Sequence, residues 1–117
     1  MRLLSAFMIG LLALAPVATQ ASDTVNVYSF RQAFLIQPIL NQFTQETGIK
    51  TKIIFAKKGL IQRIKREGKL SPADIVLTSN FSKLLQLKTE GLSQTYEAST
   101  IEKNVPSQFR DSEHHWV

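Results

Sequence analysis

From Thr24 onward the chain alternates between short runs of β-branched and aromatic residues and longer stretches whose apolar positions recur every three or four residues. That alternation predicts βαβ units and a parallel sheet. The first predicted strand is "TVNVYSF", with Val25, Val27, Tyr28 and Phe30 as its β-formers. From about Leu35 to Thr47, the residues Ile36, Ile39 or Leu40, Phe43 and Thr47 fall at helical spacing, and Gly48 follows where a helix is commonly closed in the left-handed conformation. Pro38 suits this helix in its first turn, where the missing N–H would be unpaired anyway, so the predicted start is Leu35 or Ile36.

"IKTKIIFA" predicts a second strand built on a buried run of Ile53, Ile54 and Phe55. "GLIQRIKREG" predicts a second helix with Leu60, Ile61 and Ile64 inward and Lys58, Arg63, Lys65 and Arg66 mostly on the wet side. "ADIVLT" supplies the third strand and "SNFSKLLQLKTEG" the third helix, with Ser79 or Asn80 as N-cap and Gly91 past its end. In "STIE", Ser99 and Glu102 have the spacing of a capping box and announce a short fourth helix that stops before Pro106. "SEHHWV" then reads as the opening of another strand at Trp116, and its apolar "WV" ending as a fold interrupted.

The first residues follow a different pattern. "MRLLSAFMIGLLALAPVATQAS" places one positive charge at Arg2 before an apolar run from Leu3 to Ala15 and small residues around Thr19 and Ala21. This is the order of a secretory signal peptide cut after Ala21, and the run is too short to span a bilayer, which needs about 20 apolar residues. The exported part, residues 22–117, shows no low-complexity segment, linker or internal repeat, so it predicts one compact domain.

Charge and cysteine content narrow the chemistry. The chain has a formal net charge of +5, of which Arg2 leaves with the leader; a balance of this size suits a protein that meets anions, although surface lysines commonly just face water. Cysteine is absent, which excludes disulfides, thiolate metal ligands and a thiol nucleophile.

Open parallel sheets bind ligands outside the carboxyl ends of their strands. Three strand-to-helix junctions, "SFRQAF", "FAKKGL" and "LTSNFS", bring Arg31, Gln32, Lys57, Lys58, Thr78, Ser79 and Asn80 to that edge with no carboxylate among them. Helix N-termini present free N–H groups and partial positive charge, and Arg31 adds a planar fork of donors, so the edge suits a carboxylate, carbonate or phosphate. Arg31, Gln32, Ser79 and Asn80 are the candidate anion-binding residues. Each has a plainer reading: Arg31 and Gln32 as a solvent-facing turn, the two lysines as solvated charges, Ser79 and Asn80 as N-caps.

Other chemistry finds little support. There is no glycine-rich phosphate or dinucleotide loop, nucleophile elbow or zinc-helix motif, which argues against an enzyme. Asp74 reads as a strand-start or turn residue away from the binding edge. On a strand, His114 and His115 would point to opposite faces and could not share a metal in the usual way. Phe30, Phe34, Phe43, Phe55 and Phe81 lie in predicted elements with core-like spacing rather than on a stacking platform beside the basic residues, so nucleic acid is not an expected partner.

The run from "VNVYSFRQAFLIQPILNQFTQETGIK" to "SPADIVLTSNFSKLLQLKTEGL", continued by "KNVPSQFRDSEHHWV", resembles the N-terminal lobe of the periplasmic ferric iron-binding proteins, the solute receptors of iron(III) ABC importers. The resemblance rests on "FTQETGI", "SPADI" and "VPSQFRD" in that order and covers essentially all of the exported part. It implies a three-layer α/β lobe with a parallel sheet, one half of a type II periplasmic binding protein whose two lobes close over the ligand like a hinge, with the second lobe expected beyond this sequence.

The same resemblance implies the cargo and the partner: Fe(III) with a synergistic anion such as carbonate, handed to the permease of an importer. Adjacent tyrosines of the C-terminal lobe dominate iron binding in that family, phenolate oxygen being the hard, anionic donor that Fe(III) prefers. Some members add His or His-Tyr after the first strand and Glu after the third; here those positions hold Gln32, Ala33 and Ser79, none a strong Fe(III) ligand. Phe34 stands where many relatives are expected to carry tyrosine. Of the two tyrosines present, Tyr28 reads as core and Tyr96 as a loop residue. An anion held by Arg31 and Gln32 would then complete the iron shell. A receptor for another small anion on the same fold, or a remnant without a transport role, are the competing readings.

Overall fold

The computed structural model of the chain describes residues 23–117, so the expected leader at residues 1–21 lies outside the described residues. Three parallel strands form the sheet: β1 (Thr24–Ser29), β2 (Lys50–Phe55) and β3 (Ile75–Leu77), in the order β2-β1-β3. The register sets Val27 between Ile53 and Ile75, Tyr28 between Ile54 and Val76, and Ser29 between Phe55 and Leu77. The helices are α1 (Ala33–Thr47), α2 (Leu60–Glu67), α3 (Phe81–Thr89) and α4 (Ser99–Asn104), with single 3₁₀ turns at Gly68–Leu70 and Ser107–Phe109. Among the described residues no helix is long and apolar enough to cross a membrane.

The chain steps from β1 to β2 in one direction and from β2 back across β1 to β3 in the other. With right-handed crossovers, that reversal puts α1 and α2 on opposite faces of the sheet, giving three layers. One face carries the main core: Tyr28 of β1, Leu60, Ile61 and Ile64 of α2 and Leu87 of α3, with Ile54 and Val76 packed against them. On the other side Val27 and Ile36 are buried, and α1 lies against β2. Ile39 is exposed while Leu40 and Phe43 are partly buried, so Leu40 is the inward member of the pair left open by the spacing.

Tyr28 is fully buried, and a buried phenol needs a partner for its hydroxyl. The hydroxyl donates to the Glu67 carboxylate, 2.9 Å from both oxygens; Arg63 Nε (2.7 Å) and the Ser71 hydroxyl (2.7 Å) donate to the same group. The Arg63 guanidinium also lies over the Tyr28 ring, 5.1 Å from its centroid. Asp74 is structural, as read from the sequence: it accepts from the Asn26 backbone N–H (2.8 Å) and side chain (3.2 Å), and its own N–H donates to the Asn26 carbonyl (3.0 Å). Gly48 closes α1 at φ +74°, as expected, and Gly59 opens α2 at φ +83°; both conformations disfavour any residue with a Cβ.

Four expectations are corrected. Helix α1 starts at Ala33, so Pro38 is its sixth residue rather than a first-turn residue. Proline has no N–H to give the Phe34 carbonyl four residues back, and the helix continues through that missing bond. Phe55 is 41% exposed because β2 is an edge strand and its last residue projects past the cover of α1. Ser99 is the first helical residue rather than the cap; Ala98 holds the cap position and no side chain closes the box.

No strand forms at Trp116. Residues 110–117 turn back instead, through His114 at φ +61°. Lys88 Nζ pairs with Asp111 (2.8 Å) and Glu113 (2.8 Å), Asp111 accepts from the His115 N–H, and Trp116 packs edge-on to Phe81 at 5.1 Å.

The hydrogen bond and charge of Arg63, then the Ser71 hydroxyl, hold the Glu67 carboxyl below its usual range, while burial and the Glu67 bond push the Tyr28 phenol up. A depressed carboxylate adds stability that is present above its unfolded value near 4.5 and is lost as pH falls through the folded value; a raised phenol adds stability that is lost as pH rises above about 10. Thermal melts of the chain against pH are expected to fall at both ends. Glu67→Gln should flatten the acid-side slope, to which Glu90 and Asp111 also contribute, and Tyr28→Phe should flatten the alkaline one while costing about 1 kcal/mol at neutral pH. In the same way Asp111→Asn should free the terminal segment, read as a red shift of the fluorescence of the chain's only tryptophan.

Candidate functional site

All three strands run the same way, so their carboxyl ends and the starts of α1, α2 and α3 share one edge. The turn from β1 to α1 is fixed by Ser29, which is fully buried. Its hydroxyl accepts from the Arg31 N–H (2.9 Å) and donates to the Arg31 carbonyl (2.7 Å), closing a local side-chain turn. Phe30 is anchored by its N–H donating to the Leu77 carbonyl (2.9 Å). Backbone bonds thus lock the segment on both sides of Arg31 while its side chain projects outward, exposed and without a hydrogen-bond or ion-pair partner among the described residues.

Arg31 and Gln32 line a shallow depression of about 200 Å³ together with Phe30, Leu35, Phe55 and Lys57. No carboxylate lines it. Lys83 adds a further positive charge beside the edge, its Nζ 4.3 Å from the centroid of the Phe30 ring. Gln32 occupies the N-cap of α1 in extended conformation without capping through its side chain, and neither α1 nor α2 has an acidic residue in its first turn. The positive ends of both helices are therefore uncompensated by the usual side chains, next to two unpaired cations.

Ser79 and Asn80 are not brought to this depression. Asn80 is the N-cap of α3: its Oδ1 accepts from the Ser82 N–H (2.9 Å) and from the Ser82 hydroxyl, and its own N–H donates to the Thr78 hydroxyl (3.0 Å). The plainer reading of Asn80 describes it here. Lys57, which the sequence alone reads as a solvated charge, lines the depression, and Ser29 holds the Arg31 backbone with no sequence signal beyond a Ser two residues before an Arg.

The phenols and imidazoles lie elsewhere. The Tyr28 hydroxyl is engaged with Glu67, and the Tyr96 hydroxyl donates to the Trp116 carbonyl at 3.4 Å. His115 Nδ1 is 2.9 Å from the Ser93 hydroxyl, and His114 Nδ1 is 3.8 Å from Glu102. Among the described residues no group of three or more His, Cys, Asp or Glu is close enough to hold a metal ion. A larger concavity of about 420 Å³ lies at the far end of β2, lined by Gln37, Asn41, Thr44, Gln45, Lys50 and Thr51, and brings no such chemistry together.

A parallel sheet covered on both faces, with cations and open helix starts gathered at its carboxyl edge, defines one α/β lobe whose strand ends form the edge at which open sheets of this kind take ligands. No family model matches the chain. It is 35% identical to the iron uptake protein A1 of Synechocystis over 87% of its own length and 29% of that protein's. Its fold matches the ferric iron-binding protein A of Mannheimia haemolytica in an open conformation, with 50% identity, a TM-score of 0.76 and coverage of 79% of this chain and 29% of that one. A Trichodesmium protein solved with iron and citrate ligands matches at 35% identity and a TM-score of 0.73, over 79% of this chain and 29% of its own. The chain is thus related to the ferric iron-binding proteins, as the residues suggested, and spans under a third of the length of these relatives.

Removing the hydroxyl in Ser29→Ala would leave the Arg31 N–H without its acceptor. The expected cost is about 1 kcal/mol in chemical denaturation, together with increased mobility of the Arg31 backbone amide in NMR relaxation.

Proposed function

We propose that this chain forms the anion-holding lobe of an exported ferric iron receptor, the solute-binding component of an ABC importer, and that it performs no catalysis. Arg31 and Gln32, with the open start of α1 and with Lys57, hold a small anion such as carbonate, which presents oxygen to Fe(III). The reading is supported by kinship with ferric iron-binding proteins and is carried by one observation: an unpaired guanidinium, on a backbone held by the Ser29 turn, beside a helix start that no side chain caps. Iron is cargo here. Its strong anionic ligands belong to protein outside this edge, since Gln32, Ala33 and Ser79 supply none. The leader read from the sequence makes the periplasm the working compartment, and the permease of the importer is the partner.

The test is a titration of the purified chain with ferric citrate and bicarbonate, followed in the visible region and by calorimetry. Neither Tyr28 nor Tyr96 is free to become a ligand without breaking a packed contact, so no tyrosinate charge-transfer band is expected. Bicarbonate or citrate alone should bind weakly, and Arg31→Ala should weaken that binding about tenfold, the loss of one charge-assisted hydrogen bond. A saturable band, or anion binding unchanged in Arg31→Ala, would overturn the assignment.

A further inference from the structure

The depression beside Arg31 has a composition that a small inorganic anion does not require. Half of its lining residues are apolar, Phe30, Leu35 and Phe55, and the other half are Arg31, Lys57 and Gln32. Leu35 and Phe55 come from different elements, α1 and β2, yet both leave a large part of their surface, 45% and 41%, open beside the same cations. Carbonate or phosphate would satisfy the guanidinium and leave those apolar walls wet. Binding sites that select organic ligands have this makeup, an apolar wall with a few convergent polar groups that fix orientation.

We infer that the depression takes an aromatic carboxylate, its carboxyl on Arg31 and Lys57 and its ring against Leu35 and Phe55. This rests on the proposed anion site and names the class of anion that fills it. Charge complementarity fixes the sign, since the lining holds two cations and no carboxylate. The apolar wall fixes the body: each apolar surface removed from water adds affinity that acetate or bicarbonate cannot gain. Phe30 contributes less directly, because Lys83 already stands over its ring. That lysine adds positive charge behind the Phe30 ring.

Acetate and benzoate carry the same charge and differ by the ring, so their binding to the full chain separates the two contributions. By calorimetry or NMR shift titration benzoate is expected to bind about tenfold more tightly than acetate, a modest return for a partly covered ring. Leu35→Ala and Phe55→Ala should each shrink that ratio, and Arg31→Ala should weaken both ligands; circular dichroism checks that each variant is folded. Equal affinities for the two, both lost in Arg31→Ala, would overturn the aromatic assignment and leave the anion site standing. A benzoate preference that survives both apolar variants would overturn it as well, by placing the ring elsewhere. No binding of acetate, benzoate or bicarbonate would remove the anion site and this inference together.

Discussion

Two neighbouring residues of the central strand, Tyr28 and Ser29, are both completely buried and, by the alternation of a strand, face opposite sides of the sheet. Each brings a hydroxyl into a place where an unmet hydrogen bond would be costly. Tyr28 meets its need by reaching α2, through Glu67, and so ties the strand to the helix that covers it. Ser29 meets its need within the chain, on both backbone groups of Arg31. One residue thus fixes the layer and the next fixes the turn that leaves it. The orientation of the cationic edge is a by-product of polar groups being satisfied inside the central strand.

This arrangement explains which parts of the fold were legible in the residues and which were not. Strands and helices follow from hydrophobic period, and Ile36, Leu60, Ile61, Ile64 and Leu87 are buried where a period of 3.6 puts them. The start of α1 does not follow from period, because it is set by the Ser29 turn and not by the first apolar residue; that is why Pro38 lies deeper in the helix than expected. The Tyr28–Glu67 bond joins residues 39 apart in the chain, a distance over which local pattern carries no information. The same holds for the terminal segment, whose path is decided by Lys88 in α3 rather than by the β-propensity of its own residues. The strand-edge rule put Arg31, Gln32 and Lys57 at one edge, where they line one depression, but whether Asn80 was a donor or a cap turned on the Ser82 N–H, a local contact that the spacing alone left open.

Charge is distributed by the same logic. Arg63 and Lys65 on α2 each find a carboxylate, in Glu67 and Glu90, and Lys88 finds two. Arg31 and Lys57, which sit where the strands end, find none among the described residues. Exposed ion pairs contribute little to stability, so pairing of the first set says little about energy. The absence of pairing in the second set matters more, because it leaves a positive potential where the parallel topology also points two helix N-termini.

A trivalent cation cannot approach such an edge directly. Two side-chain cations and two helix starts repel it, and no anionic oxygen from Gln32, Ala33 or Ser79 offsets that repulsion. An anion placed between them reverses the sign: it is attracted by the edge and in turn presents negative oxygen to the metal. On the proposed function, the edge serves ferric iron through an anion, and the lobe's selectivity becomes a property of the anion that the Arg31 depression prefers.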